Sequence, residues 1–167
     1  MKIVLLGFMG SGKSTVSGFL AARYGIPRIE MDDLIVSISE RASVKEIFML
    51  DGEAAFRSLE STVAAKLSDL PEGIISTGGG VIENPKNIAS LKAGRAVVIF
   101  LKARFEVLQA RLSGDSSRPL FSDSAQAKHL YENRIPQYEQ AAEYTVDTDG
   151  VSAAEVAEKI FALLRKK

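Results

Sequence analysis

The residues best suited to chemistry lie near the amino terminus, where positions 7–15 read Gly-Phe-Met-Gly-Ser-Gly-Lys-Ser-Thr. They match the phosphate-loop pattern G-x-x-x-x-G-K-[ST], with an apolar strand sequence before it and a helical sequence after it. Glycines let successive backbone N–H groups converge on a phosphate at the positive end of the helix. Lys13 would reach the β- and γ-phosphates, and the Ser14 hydroxyl would ligate Mg²⁺. The pattern therefore predicts nucleoside triphosphate binding.

A glycine-rich turn that carries a lysine by chance is the weaker alternative, because every fixed position of the pattern is filled. The elements around it support the same interpretation. Val16, Phe19, Leu20 and Tyr24 recur at three- and four-residue spacing, which predicts an amphipathic helix directly after the loop.

Segments with the composition of strands recur along the chain and alternate with helical sequences, which predicts an α/β fold. The predicted strands cover residues 3–6, 27–31, 73–77, 96–101 and 144–147. We expect a five-stranded parallel sheet with helices on both faces. Ligands of such sheets bind outside the carboxyl ends of the strands. This rule gathers residues 10–15, 30–33 and 76–80 at one rim.

The overall composition excludes several other classes of protein. The 167 residues suffice for one domain, and 21 basic residues balance 21 acidic ones, so no net charge attracts nucleic acid or a membrane. There is no cysteine and one histidine, which disfavours a disulfide framework and a histidine metal centre. His129 is better explained as a helix-surface residue than as a catalytic one. We expect a soluble, cytoplasmic protein without a signal peptide.

Phosphoryl transfer depends on positioning and charge stabilisation, so cations near the phosphates and an acid near the acceptor are expected. Lys13 and Arg118 suit the first task, and Asp32, at a strand end, suits the second. Arg57 and Arg134 are further cations, in addition to those that binding a triphosphate requires. They suggest an acceptor with a carboxylate, bound through fork-like hydrogen bonds.

Two features of the middle of the chain have competing explanations. Arg57 and Glu60 lie three residues apart on a predicted helix over 34–70 that breaks near 41–43, and they could form an ordinary solvated ion pair. The glycine triplet 78–80 could be a loose turn. Because ordering three glycines is entropically costly, we expect either that some other group comes close to that backbone or that the turn requires unusual backbone dihedrals.

Several segments together resemble the shikimate kinase family along nearly the full chain. They are the phosphate loop, Asp-Gly-Glu-Ala-Ala-Phe-Arg-Ser-Leu-Glu at 51–60, Ser-Thr-Gly-Gly-Gly at 76–80, Arg-Pro-Leu at 118–120 and Arg-Ile-Pro-Gln-Tyr at 134–138. The resemblance implies a P-loop kinase fold related to nucleoside monophosphate kinases. It also implies MgATP-dependent phosphorylation of the 3-hydroxyl of shikimate, on the pathway to chorismate and the aromatic amino acids.

The resemblance also implies roles for individual residues on the acceptor side. Asp32 matches the aspartate that hydrogen-bonds the acceptor hydroxyls and can serve as base. Arg57 and Arg134 match the arginines that hold the shikimate carboxylate, and Glu60 matches the acid that orients the first of them. Gly79 and Gly80 match the residues whose backbone contacts the substituents of the shikimate ring.

On the nucleotide side, Ser14 matches the metal ligand, Arg111 the side chain against adenine, and Arg118 the lid arginine on the phosphates. The expected ATP contacts in the phosphate loop are Gly10, Ser11, Gly12, Lys13, Ser14 and Thr15. The resemblance further implies a single kinase domain over 1–167, with a substrate-binding segment at about 31–61 and a mobile lid at about 112–124. We expect a monomer.

One position departs from the family pattern. The family usually has Asp-x-Asp after its second strand, whereas this chain has Glu30-Met31-Asp32. We expect Glu30 to hold the metal through water, with altered metal dependence because its stem is one methylene longer. A register shift that uses Asp33 instead would move Ile35 off its matching position, so it is the weaker alternative.

Two rival functions remain open from the sequence. A related small-molecule kinase, such as one for gluconate, would share the core and differ in the acceptor site. A non-catalytic relative would bind nucleotide without turnover.

Overall fold

A computed structural model describes residues 1–113 and 124–165. Its centre is a five-stranded sheet in which every neighbouring pair is parallel, in the order β2-β3-β1-β4-β5. The strands are Lys2–Leu6 (β1), Arg28–Glu30 (β2), Gly73–Ser76 (β3), Val97–Lys102 (β4) and Tyr144–Asp147 (β5). The predicted α/β fold with a parallel sheet is confirmed, and each strand lies within about two residues of its expected bounds.

Helices connect the strands within the described ranges. The α-helices are Lys13–Tyr24 (α1), Met31–Ile38 (α2), Val44–Glu46 (α3), Glu53–Lys66 (α4), Pro85–Lys92 (α5), Phe105–Leu112 (α6), Ser124–Ala141 (α7) and Ala153–Leu164 (α8). Shorter helical turns are Ile47–Asp51 (π), Leu67–Asp69 (3₁₀) and Val81–Glu83 (3₁₀). None of the helices in the described residues combines the length and apolarity needed to cross a membrane.

The sheet is buried on both faces, which explains the continuous apolar sequence of its central strands. Side chains alternate between the two faces of a strand. Accordingly, Val4 and Leu6 of β1 pack into one cluster, with residues of α2, α4, α5 and α7. Ile3 and Leu5 pack into the other cluster, with residues of α1 and α8. Apolar side chains therefore hold the strands from both sides, and polar groups collect at the strand ends.

The helical region after β2 is interrupted twice, although the sequence predicted one break near 41–43. The expected break separates α2 from α3. A second interruption lies at Gly52, whose N–H donates to the Ile47 carbonyl oxygen at 3.0 Å before α4 begins. The Asp-Gly pair at 51–52 is the local signal for this turn.

The prediction of which side chains form the apolar face of α1 is wrong at one position. Phe19 is 47% exposed, whereas Val16, Leu20 and the small polar Ser17 are buried. The burial of Ser17 is possible because its hydroxyl donates to the Ser14 carbonyl oxygen at 2.8 Å and to the Glu30 carboxylate at 3.2 Å. Helix α1 is therefore rotated so that this hydroxyl, rather than the Phe19 ring, faces the sheet.

This orientation predicts different costs for two neighbouring substitutions on α1. Leu20→Ala should lower the free energy of unfolding by about 2–5 kcal/mol, because it leaves a cavity in the core. Phe19→Ala should lower it by less than about 1 kcal/mol, as is usual for surface substitutions. Urea unfolding of both variants and the unchanged protein measures the difference. Equal costs would contradict the orientation.

Candidate active site

The phosphate loop connects β1 to α1 and is shaped by left-handed glycines. Gly10 has φ 80° and Gly12 has φ 94°, a backbone conformation that other residues rarely adopt. The Lys13 ammonium group is buried over this loop and donates to the carbonyl oxygens of Gly7 at 2.8 Å and Phe8 at 3.0 Å. The loop therefore presents a positive charge beside the first turn of α1.

A cavity of about 440 Å³ lies at the carboxyl ends of the strands. It is lined by residues 9–16 of the loop and α1, by Glu30 and Asp32 after β2, and by residues 76–79 after β3. The structure thus places the three segments that the sequence predicted to converge around one opening. Arg111 and Thr148 line the cavity on the opposite side.

Glu30 projects toward the phosphate loop in spite of its longer stem. Its carboxylate accepts hydrogen bonds from the hydroxyls of Ser14 at 3.0 Å and Ser17 at 3.2 Å. Arg28 donates to the same carboxylate through Nε at 2.9 Å and Nη2 at 2.6 Å. We did not predict Arg28 from the sequence; its signal is the two-residue spacing that puts it on the same side of β2 as Glu30.

The oxygen atoms at this point are suitable for a magnesium ion. The Ser14 hydroxyl and the Glu30 carboxylate offer hard oxygen ligands for a metal. Ser14 Oγ and Glu30 Oε2 lie 3.0 Å apart beside the cavity. Mg²⁺ commonly takes only one or two protein oxygens and shares the rest of its coordination sphere with phosphates and water. In the described residues, no group of three or more His, Cys, Asp or Glu could hold a metal.

Asp32 lies in the first turn of α2, facing Gly78. A Cβ atom at Gly78 would be 3.1 Å from Asp32 Oδ1 and 3.3 Å from Glu60 Oε1, so both carboxylates approach the same point of the backbone. Burial raises the pKa of the Glu60 carboxyl, and the nearby negative charge of Asp32 adds to this increase. The Arg57 guanidinium opposes both effects.

The pair of Arg57 and Glu60 is not an ordinary solvated ion pair. Glu60 is only 1% exposed, and Arg57 Nη1 donates to its two carboxylate oxygens at 3.1 Å and 3.0 Å. A buried carboxylate requires such a partner, because removal from water penalises its charged form. Glu60 therefore holds the Arg57 guanidinium in a defined position next to the glycine triplet.

The glycine triplet is approached closely by other groups, as its sequence suggested. A Cβ atom at Gly80 would collide with the Arg57 guanidinium, so this arginine can lie there only because the residue is glycine. The carbonyl oxygen of Gly79 accepts a hydrogen bond from the Tyr138 hydroxyl at 2.5 Å. Tyr138 is fully buried, and burial raises the pKa of its hydroxyl far above the usual value.

The side chain of Arg134 is 6% exposed and lies beside Gly79, with its guanidinium carbon 5.9 Å from the centre of the Phe8 ring. Its Nε and Nη2 donate to Glu83 Oε1 at 2.9 Å and 2.7 Å. The other oxygen of Glu83 is 3.5 Å from Arg57 Nη2. Glu83 therefore bridges the two arginines. Glu83 was not among the predicted site residues, and its signal in the sequence is the position three residues after the glycine triplet.

Arg111 of α6 lies against the phosphate loop from the β5 side. Its guanidinium donates to the Gly10 carbonyl oxygen at 3.2 Å and to the Thr148 hydroxyl and carbonyl oxygens at 3.1 Å and 2.6 Å. His129 lies on the exposed surface of α7 beside Asn133, at 3.1 Å. Arg118 and most of the expected lid at 112–124 lie outside the described residues.

Similarity to known proteins agrees with this arrangement. A profile of the shikimate kinase family matches residues 9–165. The chain is 39% identical over 166 residues to the shikimate kinase of Dehalococcoides mccartyi, covering 98% of this chain and 93% of that protein. It is 41% identical over 162 residues to the shikimate kinase of Lactococcus lactis subsp. lactis, covering 96% of each.

A solved structure extends the similarity to the backbone. The shikimate kinase from Acinetobacter baumannii in complex with shikimate matches this chain with a TM-score of 0.92 and 32% sequence identity. The match covers 99% of this chain and 93% of the other. The resemblance found in the sequence motifs is thereby confirmed over almost the whole length. The chain belongs to the shikimate kinase family.

Proposed function

We propose that this protein transfers the γ-phosphoryl group of ATP to the 3-hydroxyl of shikimate. The observation that carries the proposal is the position of Arg57. A buried glutamate holds its guanidinium against Gly80, beside Arg134 and on the same rim as the phosphate loop. A kinase for an uncharged acceptor would not need this pair of cations. Membership of the shikimate kinase family supports the same acceptor.

The phosphates of ATP would bind to the loop N–H groups and to Lys13, at the positive end of α1. Lys13 now contacts two loop carbonyl oxygens and would exchange them for phosphate oxygens. Because phosphoryl transfer develops charge on the transferred group, a positive group held there in advance lowers the barrier. Arg111, beside Gly10, would contact the adenine, and Arg118 of the lid would approach the phosphates.

Mg²⁺ would bind at Ser14 directly and at Glu30 through water. When bound, it would neutralise charge on the phosphates and align them for transfer. Arg28, Ser14 and Ser17 hold the Glu30 carboxylate, which limits the freedom that its extra methylene would otherwise allow.

On the acceptor side, Arg57 and Arg134 would bind the shikimate carboxylate, and the backbone of Gly79 and Gly80 would contact the ring substituents. Asp32 would accept a hydrogen bond from the hydroxyl that is phosphorylated and would take up its proton. We also propose that the functional unit is a monomer and that it acts in the cytoplasm. The segment 31–61 would bind the acceptor, and the lid at 112–124 would close over the phosphates.

Release of ADP from MgATP tests the reaction directly. We expect turnover with shikimate and none with gluconate or without an acceptor. Turnover with gluconate and not with shikimate would show that the proposed acceptor is wrong, while the proposed ATP-binding residues would still stand. ATP binding without turnover on any acceptor would favour a non-catalytic relative and overturn the proposal.

Replacement of Arg57 should affect the two substrates unequally. Arg57→Ala should raise the KM for shikimate roughly 10–100-fold, because a hydrogen bond to a charged group contributes about 1.5–3 kcal/mol. The KM for ATP should change much less. Arg57→Lys should restore only part of the affinity, because an ammonium group lacks the guanidinium fork. Arg23→Ala, an exposed arginine paired with Glu158, is the matched control. Equal changes in both KM values would contradict the assigned role.

Replacement of Glu30 tests the metal site. Glu30→Ala should raise the Mg²⁺ concentration for half-maximal activity about 10–100-fold, the usual loss when a group supporting a metal ligand is removed. Glu30→Asp should retain most of the Mg²⁺ affinity, because it keeps a carboxylate at this position. The measurement is initial rate against free Mg²⁺ at saturating ATP. An unchanged Mg²⁺ requirement in Glu30→Ala would exclude Glu30 from the metal site.

A further inference from the structure

We propose that the Glu83 carboxylate occupies the place of the acceptor's carboxylate and that shikimate must displace it to bind. The inference rests on the proposed function, in which Arg57 and Arg134 form the carboxylate site. It assigns to Glu83 the role of an internal competitor that sets the affinity and charge selectivity of that site.

The geometry around Arg134 is the first support. A carboxylate binds an arginine best along one edge of the guanidinium, where two N–H groups point in parallel. Glu83 takes this position, since Arg134 donates both Nε and Nη2 to its Oε1. Its Oε2 points to Arg57 Nη2 at 3.5 Å. One carboxylate thus spans both arginines, as the carboxylate of the acceptor would.

The local charge balance is the second support. Glu53, Glu60 and Glu83 surround the guanidinium groups of Arg57 and Arg134, so three carboxylates face two cations. An incoming carboxylate would meet net negative charge while Glu83 remains in place, and like charges at an interface oppose binding. Departure of Glu83 removes one negative charge and exposes the fork of Arg134.

The exposure of the Glu83 side chain is the third support. Its side chain is 38% exposed, whereas that of Glu60 is 1% exposed. Water can therefore compete for the Glu83 carboxylate, whereas the Arg134 guanidinium, at 6% exposure, would need the carboxylate of the acceptor in its place. In addition, Arg57 is incompletely satisfied: its Nε is buried and meets no partner in the described residues, and its Nη2 contacts are at 3.4 Å and 3.5 Å. A better-fitting carboxylate therefore has hydrogen bonds to gain.

The opposite role makes the opposite prediction. If Glu83 orients Arg134 for the substrate, then its loss should weaken shikimate binding. If Glu83 competes with the substrate, then its loss should strengthen binding. Glu83→Gln separates the two, because the amide keeps the size of the side chain and removes its charge.

The experiment measures the dissociation constants of shikimate and its carboxamide analogue by calorimetry. We expect Glu83→Gln to bind shikimate roughly 10-fold more tightly, which corresponds to a binding-competent state populated in about one tenth of the unchanged protein. Binding of the uncharged carboxamide and of MgADP should be unchanged. Glu139→Gln, which removes an equivalent charge from an exposed pair with Lys102, should bind shikimate as the unchanged protein does.

Glu83→Ala serves as a second variant with the same expected direction, and thermal unfolding of each variant shows whether it is folded. Weaker or unchanged shikimate binding in the folded variants would overturn the inference and leave the proposed function intact. An equal gain for the acid and the carboxamide would also overturn it, because charge competition affects only the acid. If the unchanged protein binds no shikimate at all, then the proposed function fails and the inference fails with it.

Discussion

Burial of a parallel sheet on both faces is the constraint on which the rest of this molecule depends. Apolar side chains occupy both sides of β1, and helices cover them, so polar groups are excluded from the middle of the sheet. They can lie only where strands end. Because all the strands are parallel, their carboxyl ends meet at one edge. The phosphate loop, Glu30, Asp32 and the glycine triplet are neighbours for this reason, although they are far apart in sequence.

The acceptor half of the rim is organised by a buried charge. Glu60 is removed from water on α4 and requires a cation, which Arg57 supplies from the same helix, with its guanidinium against Gly80. Moving Arg57 away would leave the buried Glu60 carboxylate without its cation, which costs free energy. The guanidinium is therefore held in position before any ligand binds. On the more exposed side, the Glu83 carboxylate contacts the Arg57 guanidinium and also pairs with Arg134. The guanidinium of Arg57 therefore has one buried partner, Glu60, and one more exposed partner, Glu83.

At the phosphate loop, the feature to be explained is how the Glu30 carboxylate is held in place. A glutamate in place of the usual aspartate has more conformational freedom, and a loosely held carboxylate is a poor support for a metal. Here, Arg28 on the same strand and Ser17 on α1 both hold Glu30 near Ser14. The burial of Ser17 instead of Phe19 belongs to this arrangement, since the hydroxyl must face the end of β2. The orientation of α1 and the position of Glu30 are therefore coupled.

Local chemistry was enough to predict the strands, the phosphate loop and the convergence of three segments at one rim. These features depend on residue type, short-range spacing and the direction of parallel strands, all of which are readable along the chain. The same information missed Arg28 and Glu83 and placed Phe19 in the core. It also left the pair of Arg57 and Glu60 open between solvated and buried. The physical reason is common to all of them: burial and ion pairing depend on which distant surfaces meet, and identical spacing is compatible with either outcome until the helices have packed.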